Sequence, residues 1–135
     1  MVPSERPNNN TKHSLMDNKA HALLISNNLM FLPRIEAAAG STMAVKRALN
    51  VDDANNLLGT LNIKFVLIDL EFEEAVWTQV LKSISTSNKK PEIIAYGPHE
   101  NTQLMDLAIS LGCKEALPKG VFVNRLRRIL HPEKN

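Results

Sequence analysis

Phe65-Val66-Leu67-Ile68-Asp69 is the stretch that decides the fold. Four large apolar side chains follow one another with no polar alternate, and a carboxylate closes the run. A strand with one wet face alternates apolar and polar residues, so an unbroken run this short fits a strand buried on both faces. The flanking segments have a different period. Upstream, Asp52 to Leu61 places Leu57, Leu58 and Leu61 on one side of a predicted helix. Downstream, Glu73 to Ser85 spaces Val76, Trp77, Val80, Leu81 and Ile84 as a helix that buries one stripe.

The same alternation continues outward. Ala22-Leu23-Leu24-Ile25 is a second doubly buried strand, followed by a helix from Leu29 to Ala39 that ends at Gly40. Pro33 fits that helix only if it starts late or its first turn is irregular. Thr42 to Arg47 is a modest strand. Pro91 leads into a strand from Glu92 to Tyr96, closed by Gly97-Pro98. Thr102 is a candidate N-cap for a helix carrying Leu104, Met105, Ala108, Ile109 and Leu111, stopped by Gly112. Lys114 to Leu117 is a short last strand, and Val121 to Leu130 a last helix with Phe122, Leu126, Ile129 and Leu130 inward. Five strands alternating with five helices imply an α/β domain, a parallel sheet covered on both faces in three layers.

Composition excludes much else. The 135 residues hold 16 Lys and Arg against 14 Asp and Glu, a net charge of +2, so no overall field draws nucleic acid or an anionic membrane. One cysteine, Cys113, leaves no disulfide framework and no cysteine-built zinc site. The four histidines have no ligand-like spacing, and the five glycines are scattered rather than grouped in a phosphate loop. No apolar run reaches the ~20 residues a spanning helix needs, and none opens the chain as a leader would. The expectation is a cytoplasmic domain over 20–131, a polar tail of net charge +1 over 1–19, and a short tail over 132–135.

In such a sheet the functional crevice lies beyond the carboxyl ends of the strands. Ser26-Asn27 follows the first strand, Asp69 the third, Tyr96-Gly97-Pro98-His99 the fourth, and Pro118-Lys119 the fifth. Each has a plain structural reading as well: Asp69 as a loop or capping carboxylate, Lys119 as a solvated lysine, His99 as a loop histidine. Asp69, Glu71, Glu73 and Glu74 form an acidic run that suits either an acidic rim or a helix N-terminus. Only Asp69 of the four has a reason to face the crevice.

Leu23-Leu24-Ile25-Ser26-Asn27, Val66-Leu67-Ile68-Asp69 and Leu117-Pro118-Lys119, in that order, resemble the receiver domain of bacterial response regulators. Leu107 to Lys119 is similar to that family's stretch from its fourth helix to its lysine loop. The resemblance implies a flavodoxin-like, doubly wound sheet of order 2-1-3-4-5, Asp69 at the phosphoacceptor position and Lys119 at the phosphate-contact position. It also exposes departures. The family's acidic pair, which binds magnesium with the acceptor, is Ser26 and Asn27 here. Its hydroxyl residue after the fourth strand is Tyr96, or Gly97 one residue on. Its aromatic switch residue is Ala116, and the proline after its lysine is Gly120.

The implied role is a stand-alone, non-enzymatic signalling module of the pseudo-receiver kind, acting through a protein partner such as a histidine kinase or a downstream regulator. It needs no cofactor, and magnesium only if Asp69 is phosphorylated. Two alternatives stay open. One is a phosphorelay receiver with Asp69 phosphorylated and Asn27 or Glu71 partly replacing the lost ligands. The other is a small-ligand or enzymatic reuse of the crevice through Tyr96, His99 and Lys119. Lys119 to Lys134 carries five basic residues and one acid, and Arg125 and Arg128, three apart, are expected to share a helix face that docks a partner. Nucleic acid and membrane are not expected partners, and self-pairing stays open.

Overall fold

Strand β3, Asn62–Asp69, is the centre of a five-stranded parallel sheet in a computed structural model that describes residues 19–134. Strands β1 (Ala20–Ile25) and β4 (Glu92–Gly97) flank it, and β2 (Met43–Ala48) and β5 (Glu115–Pro118) form the edges. The order β2-β1-β3-β4-β5 is that of a doubly wound sheet. Its apolar runs serve two cores at once. Leu23, Ile25, Val66 and Ile68 face one cluster with Trp77, Val80 and Leu81, whereas Ala22, Leu24, Phe65 and Leu67 face another with Ile35, Phe122 and Leu130. Such a run cannot sit on a one-sided sheet without stranding half its side chains in water.

Helix α1 (Leu32–Ala39) begins three residues later than Leu29, with Pro33 in its first turn, where a missing N–H leaves no bond unmade. Gly40 follows at φ 71°, a left-handed conformation that favours glycine. Helix α2 (Val51–Thr60) and helix α3 (Glu74–Ser85) cover one face with α4 (Thr102–Ser110). The N-cap of α4 is Asn101, not Thr102, which is already helical. The Asn101 N–H closes a turn onto the Pro98 carbonyl at 3.0 Å and so sets the helix start one residue earlier.

The last helix is two. Helices α5 (Lys119–Asn124) and α6 (Leu126–Leu130) meet at Arg125, at φ −102° and ψ 6°, so six helices rather than five are described. Val121, Phe122, Val123 and Asn124 are weak helix formers, and little is lost by interrupting them. Phe122, Leu126 and Leu130 are all buried on the second face. The expected tail over 1–19 lies outside the described residues except Lys19, and Pro132–Lys134 form one 3-10 turn. Among the described residues no helix is long and apolar enough to cross a membrane.

Candidate functional site

Asp69 is the last residue of β3, and its carboxylate is buried, 4% exposed. The Ser26 hydroxyl, just past the end of β1 and 0% exposed, donates to Asp69 Oδ2 at 2.6 Å. The same hydroxyl oxygen accepts the Asn28 N–H at 3.0 Å. On its other side Asp69 Oδ1 accepts the Glu71 N–H at 2.9 Å, a local turn of the kind Asp favours. Leu70 then ties back to the Tyr96 carbonyl at 2.9 Å, and Leu70 and Phe72 tuck under the sheet end. Both oxygens of Asp69 are therefore bonded inside the domain.

Tyr96 is the register partner of Asp69 on β4, so the two side chains share a sheet face. Its ring is 2% exposed, stacks on Phe122 at 4.1 Å between centroids, and leans on Phe31 at 5.8 Å. Burial pushes the phenol well above its usual range, the Asp69 carboxylate adds to that, and a Ser26 hydrogen bond opposes it. Gly97 ends the strand opposite Pro118. A Cβ there would stand 3.2 Å from Leu70 Cβ, so this position has no room for a hydroxyl-bearing side chain unless Leu70 moves.

Lys119 opens α5 directly after β5, and its ammonium pairs with Glu71 Oε1. The sequence reading placed only Asp69 of the acidic run in the crevice, and Glu71 corrects it, since the turn that binds the Glu71 N–H to Asp69 lets its carboxylate meet Lys119. Glu73 and Glu74 stand at the start of α3, where carboxylates suit the helix dipole. Asn27 is exposed. His99 is mostly exposed and lies 3.3 Å from Glu100, so it does not join Tyr96 and Lys119. A groove of about 900 Å³ lies at the opposite, amino ends of the strands, lined by Ala20, Asn62 and Pro91 among others.

Arg125 is the cap between α5 and α6 rather than a residue of the same helix as Arg128, and both side chains are exposed. Arg125 lies 3.8 Å from Glu115. Phe31 and Phe122, which complete the wall around Tyr96, were beyond sequence reasoning. Phe122 showed only helical periodicity, which says "buried" but not "against which ring".

The crevice donors do not suit magnesium, a hard cation that takes several oxygen ligands in a strict octahedron. Ser26 brings no charge and its hydroxyl already bridges Asp69 and Asn28, Glu71 is held by Lys119, and the one remaining carboxylate is buried with a hydrogen bond on each oxygen. Among the described residues no group of three or more His, Cys, Asp or Glu is placed to hold a metal ion.

No family model and no curated protein matches the chain. Solved structures do. A response regulator from Hahella chejuensis superposes with a TM-score of 0.70 at 12% identity, covering 82% of this chain and 92% of that one. This is the receiver fold. The Francisella response regulator 1452 receiver domain gives 0.66 at 16% identity over 87% of this chain and 100% of its own. A Saccharomyces cerevisiae co-crystal of the histidine phosphotransfer signaling protein Ypd1 with the receiver domain of its downstream response regulator Ssk1 gives 0.65 at 17%, covering 84% and 88%. The receiver-like scaffold expected from the strand-end motifs is thus the scaffold this chain has, strand order included.

Proposed function

We propose that the chain is a receiver-type signalling module that works by docking a protein partner, without magnesium-dependent phosphoryl transfer to Asp69. The observation that carries the reading is the commitment of both Asp69 oxygens, to Ser26 and to the Glu71 N–H, with no second carboxylate free beside them. A carboxylate nucleophile needs an accessible oxygen, and phosphoryl transfer needs cations to offset the charge it develops. The yeast receiver crystallised with a phosphotransfer protein supports a protein partner for this scaffold. The partner here is a histidine kinase, a phosphotransfer protein or a downstream regulator. Its contact is the basic end of the chain, at Arg128 and at Arg125 once released from Glu115.

The second reading, Asp69 as a working phosphoacceptor, is favoured by Asp69 and Lys119 both standing at strand ends and linked through Glu71. Beryllofluoride, which imitates a phosphoryl group on an aspartate, separates the two. Thermal stability is measured with and without beryllofluoride and magnesium, with Asp69→Ala as control. The expected result is no shift in either protein. A working site filled at about 100 times its dissociation constant would gain about 2.7 kcal/mol, several degrees for a domain of this size. Such a shift, lost in Asp69→Ala, overturns the proposal in favour of the phosphoacceptor.

A further inference from the structure

The missing acidic pair leaves the crevice with few ligands for magnesium, but it does not account for why its one remaining carboxylate is closed off. We infer that Tyr96 is a fixed lid over Asp69, latched by Ser26, so that the acceptor position is sealed by this chain's own side chains. The inference rests on the reading above and adds a physical barrier to the chemical one.

Three observations carry it. Tyr96 is in register with Asp69 across β3 and β4, so its ring rises from the sheet on the carboxylate's own face. The ring cannot swing away cheaply, because it is stacked 12° from parallel on Phe122, itself fully buried, and backed by Phe31, whose ring also lies 6.3 Å from Phe122. Ser26 closes the other side, with a short bond to Asp69 Oδ2 and its oxygen held by Asn28. The result is a carboxylate at a strand end, where a crevice would expose it, that is nearly as buried as the core. Exposed groups stand close by in sequence: Asn27, Asn28, Leu29 and Met30 on one loop and Glu71 on another. The rim of the crevice is therefore open, and the closure is local to Asp69.

Carbodiimide and glycinamide labelling of carboxyl groups, read residue by residue by mass spectrometry, tests the lid directly. Asp69 in the native protein should label about tenfold or more slowly than exposed Glu100 and Asp106, since reagent reaches it only during rare openings. Tyr96→Ala should bring Asp69 to within a few-fold of those two, with their own rates unchanged. If Tyr96→Ala loses the native circular dichroism, Tyr96→Leu, which keeps an apolar side chain but shortens it, decides in its place. Native Asp69 labelling as fast as Glu100, or a folded variant leaving Asp69 slow, overturns the lid. Treating the same proteins with acetyl phosphate and magnesium separates this from the reading it rests on. A folded variant that labels at Asp69 but gains no phosphoryl mass upholds both. A gain of about 80 mass units in the opened variant alone upholds the lid and overturns ligand loss as the barrier. The same gain at Asp69 in the native protein overturns both the reading above and the lid, since a sealed carboxylate could not accept the group.

Discussion

Cys113 follows Gly112 at the close of α4, where its N–H bonds the Ala108 carbonyl at 3.0 Å and its side chain is buried in the first core. Burial pushes the thiol up to about 12 from 9.0, because the thiolate would lose its water. The folded protein then holds that proton more tightly than the unfolded chain. Its contribution to stability is full below about 9 and lost as pH rises towards about 12. Urea unfolding at about pH 8 and about pH 10.5 should show the native protein losing more stability over that interval than Cys113→Ala. Tyr96 acts in the same direction from its own usual range upward, equally in both proteins. Asp69 and Lys119 were legible because a strand end is a fixed place in this fold. The Glu71–Lys119 pair was not, because it depends on how one turn directs a flexible side chain.

Elements were legible in type and blurred at their ends. Helix α2 begins at Val51, one residue ahead of the expected Asp52, because Asn50 caps it: the side-chain oxygen accepts the Asp53 N–H at 2.8 Å. Its amide also donates to Asp53 Oδ2 at 3.1 Å. Asn50→Ala should cost about 1 kcal/mol, seen as a fall of a few degrees in Tm. The break at Arg125 escaped the helical periodicity for a related reason. Apolar spacing reports which side chains are buried, and Phe122, Leu126 and Leu130 are buried whether one helix or two presents them. The Arg125 N–H still bonds the Val121 carbonyl and its own carbonyl still accepts the Ile129 N–H, so the chain keeps its helical path across the break.

At the scale of the whole molecule the sheet separates two cores that share no buried residue. Ile84 lies in one and Ile35 in the other, so Ile84→Val and Ile35→Val should each cost about 0.5–1.5 kcal/mol. Their costs should add within about 0.5 kcal/mol in the double variant, since contacts do not pass through the backbone layer. Yet β1, β3 and β4 feed side chains to both faces, so unfolding followed by Trp77 fluorescence and by circular dichroism should give one coincident transition. A coupling well above that margin, or two transitions, would mean the layers are not arranged this way. The sequence by itself determined the doubly buried strands, their alternation with helices, and the residue types at each strand end, because periodicity and chain order are local properties. Only the tertiary structure decided what those residue types do together. Ser26, forty-three positions from Asp69, becomes its hydrogen-bond donor, and Tyr96 packs against Phe122 and Phe31. Those meetings follow from the register of parallel strands and the packing of α1 and α5 onto one face, which no local pattern encodes.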